Sequence, residues 1–205
     1  FDPKRYYSLQ LTDLNTYNFG YVGSRATGHE AGSFMIVSPS WNGPTPPGIK
    51  KVFRSTTDIA LGLIRTQLFD AADIGNVTAI QAQYKGETLL SFLKQQQPPP
   101  APARTFPKFD KDLVKTEFFE YLDFVLQLIP VSKFDKDIRD QLATIGIGPG
   151  ATYNFKESSL VDKAEVLIGM KRGKTTVDDS VKNFGKNING WRVGSALRGS
   201  FCSSR

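Results

Sequence analysis

The stretch from Arg5 to Ser38 constrains the fold more than any other part of the chain. Tyr7, Leu9 and Leu11 alternate with Tyr6, Ser8, Gln10 and Thr12, and Tyr17, Phe19 and Tyr21 repeat the two-residue period. A Gly-rich turn and the short apolar run Phe34–Val37 follow. Alternation rich in aromatic and β-branched residues, broken by glycine, is the pattern of strands in an antiparallel sheet.

The next segment, Pro39 to Gly48, is a Pro/Gly loop that cannot sit in a ladder, because proline lacks the amide donor. Ile49 to Arg54 and Thr57 to Gln67 predict two further strands. The second is nearly continuous in Ile59, Leu61, Leu63 and Ile64, which predicts a central strand covered on both faces. Arg65 inside it calls for a partner, with Asp13 and Glu30 as candidates. Asn76 predicts an N-cap for a helix through Tyr84, in preference to the glycosylation acceptor that Asn76-Val77-Thr78 also spells.

The run Gln95 to Pro107, with four prolines between Pro98 and Pro102, predicts an extended surface connector. Beyond it the apolar period changes to 3.6. Val114, Phe118, Tyr121, Leu122, Val125 and Ile129 form a helical stripe ending at Pro130. Ser132 with Asp135, Ser159 with Asp162 and Thr176 with Asp179 each predict a helix start. Their apolar sides are Phe134, Ile138, Leu142 and Ile145; then Leu160, Ala164, Leu167 and Ile168; then Val177, Val181, Phe184 and Ile188. Gly146 and Gly173 are the expected stops. The resulting expectation is an α+β chain: an antiparallel β-sandwich, jelly-roll-like and incomplete, followed by a helical segment. The expected boundaries are 1–94 for the sandwich, 95–107 for the linker, 108–190 for the helices and 191–205 for a tail or the start of a second β domain.

Several chemistries are excluded by count. One cysteine, Cys202, forbids an internal disulfide or a multi-Cys zinc site, and one histidine, His29, forbids a His-pair metal motif. We therefore expect no cofactor and no transition metal. No apolar run approaches a membrane span, and no signal peptide is visible at a start that lacks Met, so we expect the natural N-terminus to lie elsewhere. The net charge of +6 fits a solvated lysine-rich face, and no basic-aromatic module of a nucleic-acid binder is present. Gly146-Ile147-Gly148-Pro149-Gly150 follows a helix and contains a proline, so it predicts a helix stop and turn rather than a phosphate cradle. Arg172-Gly173-Lys174-Thr175 fails the spacing of a Walker loop. His29, within a Gly-rich hairpin, predicts a solvated loop side chain rather than a catalytic base.

Candidate ligand-binding residues are Asp13, Asn15, Tyr17 and Asn18 near the first hairpin, with Arg25 and Arg65. Aromatic rings stack on apolar sugar faces while Asp and Asn bond hydroxyls. Turn chemistry is the competing explanation for the same Asp and Asn. Asp13 with a second carboxylate, Asp70 and Asp73 being further candidates, is the minimum for a glycoside-type hydrolase.

The run Arg5-Tyr6-Tyr7-Ser8-Leu9-Gln10-Leu11-Thr12-Asp13, with Asn18-Phe19-Gly20-Tyr21-Val22-Gly23-Ser24-Arg25 and Gly28, resembles the bacterial family of unknown function numbered twelve-fifty-four. The segments Ile49–Arg54, Leu61–Thr66, Phe118-Phe119, Ile145–Gly150 and Asn189-Gly190-Trp191 are similar too. The resemblance implies a β-sandwich first domain, a helical connector and a second β-rich domain, numbered twelve-fourteen, in proteins often exported to the periplasm or cell surface. It implies no activity and no catalytic residues. It also implies that earlier strands are missing before Phe1 and most of the second domain after Trp191.

The expected function is a binding or structural module whose open sheet edge is covered by self-association or by the missing part of the same family protein, with carbohydrate or another small molecule as a possible ligand. Alternatives are the carboxylate hydrolase, a shell or surface-assembly protein, and nucleic-acid association through the lysine-rich tail from Lys156 to Arg205.

Overall fold

The computed structural model describes residues 3–151 and 153–193. The chain divides into two compact units, residues 1–105 and 106–205, and the break falls within the Pro-rich stretch. The fold is mixed, with helices and strands in both units and no closed barrel among the described residues.

The first unit begins with β1 (Tyr7–Asp13), β2 (Asn18–Gly23), β3 (Ser33–Val37), β4 (Ile49–Arg54) and β5 (Ala60–Thr66). They form a three-stranded antiparallel sheet, ordered β2-β1-β5, and a two-stranded sheet of β3 and β4. The β3/β4 pair is parallel, which departs from the all-antiparallel expectation. The Pro/Gly loop is the cause. It is long enough to return the chain to the start of β3, as a parallel neighbour requires. Arg54 fixes that loop by donating from Nη1 to the carbonyls of Ser38, Pro39 and Trp41 at 3.1, 3.0 and 2.7 Å.

A small core joins β1, β2 and β4: Leu11, Val22 and Phe53, with Leu9, Phe19 and Phe34 packed around it. Each buried side chain of this kind contributes about 1.5–3 kcal/mol. Gly20 is required there, because a Cβ would lie 2.3 Å from Phe53 Cδ1. The Tyr17-Phe19-Tyr21 period does not survive as one face. The register shifts between Leu11 and Thr12, so that Leu11 faces Gly20 while Thr12 faces Asn18. Phe19 is the extra residue of a bulge. It turns toward the core, and Tyr17 and Tyr21 stay exposed.

The β5 strand is the largest departure. Among the described residues it pairs with β1 alone and is an edge, not a central strand. Leu61, Leu63 and Ile64 are 62%, 41% and 46% exposed. Apolar continuity reports burial in a finished structure, and among the described residues the cover is not supplied.

After β5, a 3-10 turn capped by Asp70 leads into α1 (Ile74–Gln81), and Thr88 caps α2 (Leu89–Phe92). Asn76 lies inside α1 and donates to Asp73 Oδ1 at 3.0 Å, while Asp73 holds the N-cap position without a side-chain cap bond. Arg5 forms a buried pair with Asp73, with bonds of 2.6 and 2.8 Å, and its guanidinium lies 4.5 Å from the Phe69 ring.

In the second unit the expected first helix is broken at Glu117 into α3 (Leu113–Thr116) and α4 (Phe118–Leu126). Tyr121, Leu126, Leu128, Ile129 and Ile147 are buried. The Ser132–Asp135 box forms just ahead of α5 (Lys136–Ala143). Phe134, Ile138 and Ile145 stay exposed, however, while Arg139 is buried, donating to Asp135 at 2.9 Å and to the Ile129 carbonyl at 3.2 Å. Ser159 caps α6 (Leu160–Lys182) as expected. That helix runs straight through Gly173, since a mid-helix glycine costs about 1 kcal/mol but forces no stop. Thr176 bonds back to the Arg172 carbonyl at 3.1 Å instead of capping a new helix. The hairpin of β6 (Lys186–Ile188) and β7 (Trp191–Val193) follows, turning at Asn189 and Gly190, both at positive φ. The remainder of the expected 191–205 segment lies outside the described residues.

Candidate functional site

The three-stranded sheet has two different faces. Cross-strand partners share a face, so Leu9 and Leu11 stand with Val22, Gly20, Ile64 and Gly62 on the core side. The other side carries Ser8, Gln10 and Thr12 from β1, Asn18 and Tyr21 from β2, and Leu61, Leu63 and Arg65 from β5.

A hydrogen-bond chain crosses this second face. Arg65 Nη1 donates to Gln10 Oε1 at 2.9 Å. Gln10 Nε2 donates to Asn18 Oδ1 at 2.7 Å, and Thr12 Oγ1 donates to the same oxygen at 2.7 Å. Tyr21 lies opposite Gln10 and is 45% exposed. The Arg25 guanidinium lies 5.4 Å from the ring centre of Tyr6. Thus Asn18 and Arg65 meet through Gln10. Arg65 is exposed, so it needs no buried counter-ion. Its expected partners are elsewhere: Glu30 approaches Lys50 at 3.6 Å, and Asp13 lies on the core side.

Asp13 is buried and serves the β1–β2 turn. Its Oδ1 accepts from the Tyr17 amide at 2.9 Å, its backbone carbonyl accepts from the Thr16 amide at 3.0 Å, and its Oδ2 accepts from Thr56 Oγ1. Thr16 takes a positive φ in that turn, Asn15 is half-buried within it, and the Tyr17 side chain is exposed. His29 is half-buried rather than solvated, with its ring 6.0 Å from that of Tyr7 in an edge arrangement. Tyr7 donates to the Gly28 carbonyl at 2.7 Å, and burial pushes its hydroxyl pKa up. Among the described residues no cluster of three His, Cys, Asp or Glu side chains could hold a metal ion. Gln10, Thr12 and Tyr21 complete the polar face. Their shared two-residue period with Tyr6 and Ser8 is visible in the sequence, but the bulge that brings Asn18 beside Thr12 is not.

The edge of β5 is the second notable feature. The Gln67 amide donates to the Tyr6 carbonyl at 2.9 Å, which sets the ladder's phase. In an antiparallel pair the bonded positions alternate, so Ser8/Arg65, Gln10/Leu63 and Thr12/Leu61 exchange bonds. The backbone groups of Ala60, Gly62, Ile64 and Thr66 therefore point away from β1, where no described strand pairs. Beside this edge a cavity of ≈ 250 Å³ opens between Ala60, Leu61 and Gly62 on β5 and Ile36 and Val37 on β3.

The Gly-rich loop of the second unit is spoken for. Asp123 accepts from the Gly148 amide at 2.8 Å, Gln127 donates to the Gly148 carbonyl at 3.0 Å, and Ile147 is fully buried. It closes α5 as a turn, with Gly146, Gly148 and Gly150 at positive φ.

Residues 1–88 match the family described as Protein of unknown function (DUF1254). A crystal structure of the VPA0106 protein from Vibrio parahaemolyticus is similar, with a TM-score of 0.71 and 24% identity over 88% of this chain. The likeness shows a common fold. This chain spans only 43% of that protein's length. No curated protein matches the chain. No described helix is long and apolar enough to cross a membrane.

Proposed function

We propose that residues 3–105 are an incomplete β-sandwich of the twelve-fifty-four type, acting as a binding or structural module completed by further β-strands. The observation that carries this reading is β5, a strand with exposed leucines and isoleucine and a row of backbone groups that no described strand pairs. Such an edge templates pairing with another strand. The matched Vibrio protein is more than twice as long as the region it shares, so strands of the kind required have room elsewhere in a protein of this fold. The completing strand comes from the same family protein, whether on one polypeptide or two, or from a second copy.

A small polar ligand of the carbohydrate class is the second part of the proposal. It is supported by the exposed Tyr21 ring beside the Arg65–Gln10–Asn18 chain. The hydrolase alternative draws less support, since both carboxylate oxygens of Asp13 are engaged by its own turn and Thr56.

Light scattering of this chain and of Leu63→Lys tests the edge. A lysine on an edge strand blocks pairing at little cost to the fold. The chain is expected to self-associate as concentration rises, and Leu63→Lys to stay monomeric. A chain that remains a non-aggregating monomer throughout contradicts the proposal.

A further inference from the structure

The polar face of the three-stranded sheet has a low centre. Ser8 stands opposite Gly23 on β2 and Arg65 on β5. Residue 23 has no room for a side chain, since a Cβ there would lie 2.3 Å from the Tyr7 carbonyl oxygen. Taller neighbours surround the spot: Tyr6 and Gln10 flank Ser8 along β1, and Tyr21 comes one period before Gly23 on β2. The Tyr6 and Tyr21 side chains are exposed. The Ser8 hydroxyl belongs to a residue 8% exposed and has no hydrogen-bond partner among the described residues.

Two guanidinium groups lie on either side of Ser8. That of Arg25 rests on Tyr6, 5.4 Å from the ring centre, and that of Arg65 donates to Gln10 Oε1, a neutral acceptor. Both arginines are exposed, and neither enters a salt bridge among the described residues. No acidic residue occupies a register position on this face.

We infer that this part of the sheet face, centred on Ser8 and bounded by Arg25 and Arg65, binds an acidic oligosaccharide, one whose sugar rings carry carboxylates. A guanidinium offers a planar fork of donors that matches a carboxylate, and neither arginine spends its fork on an acid of this chain. The buried Ser8 hydroxyl lacks an acceptor that a ligand oxygen provides. The exposed rings select a ligand with an apolar ring face, which a bare anion lacks. The choice of a sugar rests on the small-ligand reading above; the charge requirement and the two arginines are the new elements.

Calorimetric titration of the whole chain with trigalacturonate and with its fully methyl-esterified form tests both elements. The ester keeps the rings and removes the charge. The acid is expected to bind and the ester to bind at least tenfold more weakly. Arg25→Gln and Arg65→Gln should each lower affinity for the acid by about tenfold, the worth of one charge-assisted bond, and leave the ester unchanged. Tyr21→Ala should weaken both forms. Equal binding of acid and ester, or an unchanged affinity for the acid in either arginine variant, overturns the anionic site while sparing the small-ligand reading. Binding of neither form overturns both. Full affinity for the acid in Tyr21→Ala, or equally tight binding of a short oligothymidylate, overturns the sugar class.

Discussion

Replacing Phe53 with alanine removes the side chain that joins the two sheets of the first unit. Phe53 is 4% exposed and lies against Leu11, Val22 and the bare backbone of Gly20. Burial of such a side chain contributes about 1.5–3 kcal/mol, and the cavity left behind raises the cost of Phe→Ala in a core to about 3–5 kcal/mol. Gly20→Ala attacks the same contact from the other side, since its Cβ would fall 2.3 Å from the ring, and overpacking of this kind costs about 1–3 kcal/mol. The two changes share one contact, so the double variant should cost less than the sum by about 1 kcal/mol or more. Urea unfolding followed by far-ultraviolet circular dichroism gives all three values. A Phe53→Ala cost below about 1 kcal/mol, or strict additivity with Gly20→Ala, would refute the two-layer packing.

Asp73 should give the first unit an acid-sensitive component. Hydrogen bonds from Arg5 and Asn76 hold its carboxyl far below the usual carboxylate range. The folded state therefore binds this proton at lower pH than the unfolded chain. The stabilisation is complete above the unfolded carboxylate pKa of about 4 and is lost as pH falls below it. Urea midpoints between pH 7 and 3 should fall more steeply for the parent chain than for Asp73→Asn, and equal slopes would contradict the pairing. In the second unit, Asp123→Ala strips the acceptor from the buried Gly148 amide and should cost about 1–3 kcal/mol. Amide exchange at Gly148 should accelerate with it, and an unchanged rate would show that the loop holds itself.

Much of the first unit was legible because its strands announce themselves by period. The expected Ile49–Arg54 strand coincides with β4, and Phe34–Val37 falls within β3. Capping chemistry located the start of α6 equally well, since Ser159 bonds the Asp162 amide directly. Errors arose where a local pattern stood in for a tertiary fact. The apolar run of β5 looks central because its residues are those of a covered strand, while the cover is a matter of neighbours. Thr176 and Gly173 carry the local marks of a helix boundary, and backbone continuity overrode both at small cost. The Asn189-Gly190 turn carried the opposite lesson: it is a strong hairpin signal that the helical expectation for 176–190 passed over. Of the candidate site, Asn18 and Arg65 stand out in the sequence by residue type, but the link of Asn18 to Gln10 depends on a one-residue bulge at Phe19 that no periodicity reveals.

Residue-resolved amide exchange along β5 tests the proposed completion most directly. In dilute protein the amides of Leu61, Leu63 and Arg65, bonded to β1, should exchange slowly, while those of Gly62, Ile64 and Thr66 exchange quickly. At concentrations where copies associate, the second row should become protected as well. If Gly62, Ile64 and Thr66 are already protected in the dilute monomer, the edge is satisfied from within and the module needs no further strand.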